Sequence, residues 1–101
     1  MERYEHPVIA DVDICRLFAA LSDPVRLAMV RKLARHGALN CAALTMDRPR
    51  STMSHHFRVL RAAGLVRTTV SGTEHVNALR ETELEARFPG LLRLILEEGG
   101  D

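Results

Sequence analysis

The segment from Cys41 to Leu79 constrains the fold of this 101-residue chain more than any other. A short apolar run, Cys41 to Met46, meets a polar break, Asp47-Arg48-Pro49-Arg50. A longer run, Ser51 to Ala63, follows and is closed by Gly64. Within it Met53, Phe57 and Leu60 recur at i, i+4 and i+7, the spacing of one helix face. Beyond Gly64, Val66, Thr68 and Val70 alternate with Arg67 and Thr69, and Val76 and Ala78 alternate again past Ser71-Gly72. That is the period of a half-buried hairpin. Helix, turn, helix and hairpin in this order predict a winged helix-turn-helix, a module that can lay its second helix in the DNA major groove.

The rest of the chain frames this unit. Residues 1–10 are expected to form a loosely ordered arm, because Pro7 interrupts any helix, and residues 11–101 a single domain. Ile14, Leu17, Phe18 and Leu21 fall at helical spacing. Asp23 can cap a second helix that opens on Pro24 and runs to Gly37. Asn40 caps the third helix at Cys41, whereas Pro49 leaves the fourth without a side-chain cap. Thr82-Glu83-Leu84-Glu85 reads as a capping box for a fifth helix. Phe88-Pro89-Gly90 predicts a kink or restart, after which Leu91 to Leu96 is apolar on nearly every side. The expected architecture is mainly α with a small β-hairpin and five or six helices. Ile14, Leu17, Phe18, Leu91, Leu92, Leu94 and Ile95 supply more apolar surface than a small domain should expose, which predicts a homodimer.

Composition excludes several function classes. With no Trp and 4% aromatic residues, the core must come mainly from Leu, Val, Ile, Ala and Met. Charged residues break up the N-terminus, so no signal peptide is read. The longest run without Asp, Glu, Lys or Arg, His36 to Met46, is far short of the roughly 20 residues of a membrane span. Two cysteines without a secretion signal suit a reducing compartment, so a cytoplasmic protein without membrane contact is expected. No nucleophile–base pair, phosphate-cradling loop or carboxylate pair at catalytic spacing is visible, so no enzyme is expected.

The formal net charge of +1 hides a strong segregation. Between residues 24 and 73 stand Arg26, Arg31, Lys32, Arg35, Arg48, Arg50, Arg58, Arg61 and Arg67 against the single acid Asp47. Both flanks are net acidic. A basic middle coinciding with a helix-turn-helix is the electrostatic footprint of a double-stranded DNA partner.

Four stretches resemble the ArsR/SmtB family of bacterial winged-helix repressors: Ala20-Leu21-Ser22-Asp23-Pro24-Val25-Arg26-Leu27, then Thr52 to Arg61, Ala63-Gly64-Leu65-Val66, and the hairpin after it. The resemblance covers roughly residues 14–80. It implies a homodimer paired through the first and last helices, a palindromic operator, and release of DNA on a chemical signal. Where that family's thiolate sites carry Cys-x-Cys, this chain has Asn40 and Ala42 flanking Cys41. No histidine follows His75 to serve the family's other site, and His55 and His56 point about 100° apart on a helix. The chain resembles members that are not metal sensors, so neither a metal nor a cofactor is expected.

Geometry divides the fourth helix. Opposite its apolar stripe lie Ser51, Thr52, Ser54, His55, Arg58 and Arg61. Ser51, Thr52, Ser54, His55 and Arg58 are expected at base edges, Arg48 and Arg50 at phosphates, and Arg61 is expected to contact DNA from the same helix. Arg67 is the wing's basic residue, since the tip Ser71-Gly72-Thr73-Glu74 has none. His56, near the buried edge, reads as a packed, hydrogen-bonded histidine. Two readings of Cys41 stand: a thiol activated at a helix N-terminus that senses oxidants or electrophiles, or a small residue packed behind the fourth helix. Cys15 reads as packing. The alternative to a DNA-binding repressor is a winged-helix protein-interaction module, which salt-sensitive retention on heparin would distinguish.

Overall fold

A computed structural model of the chain describes residues 4–45 and 47–98. Six α-helices surround a three-stranded antiparallel sheet. The helices are α1 (Ile14–Leu21), α2 (Pro24–His36), α3 (Cys41–Thr45), α4 (Arg50–Ala62), α5 (Glu81–Arg87) and α6 (Leu91–Glu97). The strands are β1 (Leu39–Asn40), β2 (Val66–Ser71) and β3 (Glu74–Leu79), in spatial order β1-β3-β2. Met46, expected to close the third helix, and residues 1–3 and 99–101 lie outside the described residues.

Side-chain caps account for the starts of α1, α2 and α3. Asp13 accepts the Cys15 N–H at 2.8 Å, and Asp23 accepts the Arg26 N–H at 3.0 Å with Pro24 in the first turn of α2. That second bond is the main cause holding the Asp23 carboxyl below its usual pKa. Asn40 Oδ1 accepts the Ala43 N–H at 2.9 Å, and α4 begins after Pro49 with no side-chain cap. The capping box expected at Thr82 does not form. Arg80 takes the N-cap position of α5, and its guanidinium grips both Glu83 oxygens at 2.9 and 3.0 Å. The reason is burial: Arg80 is 5% exposed, and a buried guanidinium needs a carboxylate more than a helix end needs a cap. Its hydrogen bonds hold Glu83 below the usual carboxylate range.

The core lies between the helices and one face of the sheet. Leu17, Val30, Leu33, Leu44, Met53, Leu60, Leu65 and Leu84 are all buried. Each such side chain contributes about 1.5–3 kcal/mol by leaving water. Leu17 and Ile95, expected at a dimer surface, belong to this core instead. The stripes on α1 and α6 are wider than one contact, so their inner edges pack internally while Ile14, Phe18 and Leu94 stay outside, 44%, 52% and 57% exposed.

The hairpin carries a polar centre that alternation did not predict. Val66 pairs with Leu79 and Ser71 with Glu74, leaving Gly72-Thr73 as the turn. On β2 the buried residues are Val66 and Thr68, while Val70 is exposed. On β3 the buried residue is Asn77, with Val76 and Ala78 only half-buried. Asn77 stands opposite Thr68 and accepts its hydroxyl at 2.7 Å. Its amide donates to the Leu39 carbonyl and to Cys41 Sγ, each at 3.3 Å. The pairing of β1 with β3 places these acceptors there. A buried amide whose donors and acceptor are all used locks register rather than weakening the sheet.

Residues 4–8 carry no helix or strand but are tied to the wing. His6 Nε2 accepts the Thr68 N–H at 3.0 Å, Tyr4 hydrogen-bonds His75 Nδ1 at 2.5 Å, and the Pro7 carbonyl accepts from Arg80 at 2.8 Å.

Gly64 closes the turn between α4 and the wing at φ +86°, where a Cβ would sit 2.4 Å from Val12 Cγ2. Gly64→Ala combines left-handed strain with a clash against buried Val12, so it should cost at least about 2 kcal/mol. Thermal unfolding would show this, and an unchanged melting temperature would refute it.

Candidate nucleic-acid interface

The geometry of α4 follows from which of its residues are buried. Met53, His56, Phe57 and Leu60 face inward, against α2 and β2, leaving Ser51, Thr52, Ser54, His55 and Arg58 exposed. These five are the residues expected at base edges, and they share the outward face at the N-terminal half and middle of the helix. Arg48 and Arg50 are exposed at its start. Among the described residues, no ion pair or side-chain hydrogen bond engages Arg48, Arg50 or Arg58. Their charge is therefore available to an external anion.

Other basic groups of the central segment have internal work. Arg61 lies with its guanidinium 4.4 Å from the Tyr4 ring centroid and Nη1 3.4 Å from Thr68 Oγ1. Burial holds its pKa below the usual guanidinium value. Arg67 sits near the foot of the wing, paired with Ala78 across the sheet, and makes an ion pair with Glu83 at 3.6 Å. Neither is brought to the outward face of α4. Lys32 donates to the Ala43 carbonyl at 2.9 Å, fastening α3 onto α2, and Arg31 donates to the Ile95 carbonyl at 2.9 Å, fastening α6. At the wing, Glu74 accepts from Asn40 at 3.0 Å, so its carboxylate ties the hairpin to the start of α3.

Sequence reasoning missed Arg26. Its Nε donates to the Ala20 carbonyl at 2.8 Å and Nη2 to that of Ala19 at 3.5 Å, both at the end of α1. Its Nη1 lies 3.2 Å from His56 Nδ1 on α4. His56 is 8% exposed and hydrogen-bonded, as its place near the apolar stripe predicted. The signal for Arg26 was its place in the first turn of α2, an unusual location for a cation given the positive end of the helix dipole.

Cys41 occupies the first position of α3 and is half-buried. Three shallow cavities, of about 240, 230 and 350 Å³, adjoin it, and Arg50 lines all three. Cys15 is exposed on α1, where packing was expected; its side chain leaves the stripe that Leu17 buries. Among the described residues, no three His, Cys, Asp or Glu side chains gather where they could hold a metal ion. No helix among them is long and apolar enough to cross a membrane.

Comparison with known proteins places this geometry. A family described as a helix-turn-helix domain matches residues 21–69. The HTH-type transcriptional regulator Rv2034 of Mycobacterium tuberculosis is 38% identical over 99 residues, spanning 85% of this chain and 92% of that protein. An uncharacterised HTH-type transcriptional regulator of Methanocaldococcus jannaschii is 34% identical over 76 residues, covering 72% of this chain and 76% of its relative. Among solved structures, an ArsR family transcriptional regulator, RHA00566, superposes with a TM-score of 0.66 at 26% identity, covering 73% of this chain and 82% of the other. The transcriptional repressor BigR of Xylella fastidiosa gives 0.61 at 27% identity, covering 74% and 85%. With two-thirds or more of each relative matched, an outward basic helix and a three-stranded wing, the chain belongs to the helix-turn-helix transcriptional regulators, and its fold is that of an ArsR family winged-helix regulator.

Proposed function

We propose that this protein is a dimeric cytoplasmic repressor that reads a palindromic operator with α4 and leaves it on a chemical signal. The observation that carries the reading is the outward face of α4, where Ser51, Thr52, Ser54, His55 and Arg58 stand exposed and Arg48 and Arg50 flank them. Arg58 and His55 lie one turn apart on that face and read bases; Arg48 and Arg50 grip phosphate, which carries affinity without sequence information. With Arg61 and Arg67 engaged internally, their part in DNA contact is secondary to these. Fluorescence anisotropy on a duplex enriched by the protein from a random pool, and on its scrambled counterpart, tests the division. Arg58→Ala should cost about 1–3 kcal/mol on the enriched duplex and narrow the gap to the scrambled one. Arg50→Ala should weaken both alike and lower the slope of log K against log salt by about one unit. Equal losses from Arg58→Ala on both duplexes would make it a phosphate contact.

A second copy of the chain covers the apolar residues that Leu17 and Ile95 do not. Ile14 and Phe18 on α1 and Leu94 on α6, with half-buried Leu91 and Leu92 beside it, form the pairing surface. Two-fold symmetry in the protein is what makes a palindromic site readable. Sedimentation at micromolar concentration should give twice the chain mass, and Phe18→Glu should return it to one. A wild-type monomer would remove both the dimer and the palindrome.

The signal acts at Cys41. Its sulfur accepts an amide N–H from Asn77 and borders the cavities that Arg50 lines, so a small oxidant or electrophile has a route to it. Oxidation there would disturb α3 directly behind the start of α4. Diamide should weaken DNA binding in the wild type and in Cys15→Ser but not in Cys41→Ser. A response that survives Cys41→Ser would return Cys41 to simple packing.

A further inference from the structure

One guanidinium joins three helices. The backbone of Arg26 is held by Asp23 at the start of α2, and its side chain spans the last carbonyls of α1 and the ring of His56 on α4. The end of α1 offers unpaired carbonyl groups, and Arg26 satisfies the one on Ala20. Ala19 is shared, since it also accepts the Ser22 N–H and hydroxyl at 3.3 and 2.8 Å. The chemistry of the third contact has one direction. A guanidinium only donates, so His56 Nδ1 accepts and its proton sits on Nε2. The planar fork also fixes the angle between its donors, which a flexible ammonium cannot do.

His56 occupies the part of α4 where rotation matters most. It neighbours exposed His55, and Thr52 lies one turn before it. On a helix about 10–12 Å across, a 15° turn about the axis moves an outward side chain by roughly 1.5 Å. That displacement takes a base-edge hydrogen bond out of range.

We propose that Arg26 is a positioning residue for DNA reading: braced on the end of α1, it sets the rotation of α4 through His56. The proposal rests on the assignment of the outward face of α4 to DNA. Because α1 also bears Ile14 and Phe18, the same bond connects the exposed apolar face of the chain to its reading face.

The test uses the full chain, the enriched and scrambled duplexes, and four variants. Arg26→Gln removes the fork and His56→Leu removes the acceptor. His56→Asn keeps an acceptor, because its Oδ1 takes the place of Nδ1. Arg26→Gln and His56→Leu should each lower affinity for the enriched duplex about tenfold, the worth of one charge-assisted hydrogen bond. Scrambled-duplex affinity and the salt slope should not change, the double variant should be no weaker than either single one, and His56→Asn should stay within about threefold of wild type. Independently of DNA, nitrogen NMR of the free protein should show an unprotonated His56 Nδ1 whose signal moves in Arg26→Gln. If Arg26→Gln weakens both duplexes and lowers the salt slope by about one, Arg26 is a phosphate contact and the proposal is overturned. Multiplying losses in the double variant, or a protonated Nδ1, overturn it as well. If Arg26→Gln does not fold, equal losses in His56→Leu and His56→Asn overturn it, and loss in His56→Leu alone supports it. A wild type that distinguishes no duplex overturns the DNA-reading assignment and the proposal with it; the NMR signal separates that failure from a missing Arg26–His56 bond.

Discussion

The burial of the inner stripe of α4 is the constraint on which the rest of this structure depends. Met53, Phe57 and Leu60 are almost wholly removed from water against α2 and the sheet. Losing any one of them to alanine would cost about 2–5 kcal/mol, a large share of the stability of a small domain. A helix held that firmly on one side has its other side determined. Ser51, Thr52, Ser54, His55 and Arg58 face outward because the apolar residues cannot, and the exposure of this polar face is a consequence of packing before it is a matter of charge.

Around that seat the polar contacts act as fasteners. Lys32 holds α3, Arg31 holds α6, Arg80 and Glu83 hold the start of α5, and Asn77 binds the wing to β1 and α3. Each makes a short connection between elements that hydrophobic burial alone would leave free to slide. The cost of desolvating these groups is offset by the hydrogen bonds they make, and the return is a single register. The basic charge of the central segment therefore divides. Part is spent inside the fold, and Arg48, Arg50 and Arg58 remain for an external polyanion. The clustering of basic residues in the sequence counted charges that the fold spends inside, so it overstated the charge left on the outward face of α4.

What was legible beforehand was local. Asp23-Pro24, Asn40-Cys41 and Gly64 mark boundaries through caps and backbone preferences that act over three or four residues, and the helices begin and end beside them. Leu17 and Ile95 show where such reading stops. Their apolar character predicted burial correctly, but whether a side chain buries within one chain or against a second depends on what lies across from it. The same holds for Arg61 and Arg67: a basic residue on a helix or strand is equally consistent with a phosphate contact and with Tyr4 or Glu83 as its partner.

The sequence by itself determined the order of the elements and the inward and outward faces of α4. Both rest on spacing, capping and turn chemistry between near neighbours. Only the tertiary structure decided that Asn77 would be buried, that Leu39 and Asn40 would form a third strand, that Arg80 would displace the expected capping box, and that Arg26 would reach His56. Asn77 meets Leu39 across 38 positions and Arg26 meets His56 across 30. Arg80 bonds Glu83 close by, but only its burial beneath the Pro7 carbonyl, 73 positions away, makes that bond worth more than a cap. Contacts at such separations have no periodicity to announce them, because they exist only after the apolar stripes have brought the helices together.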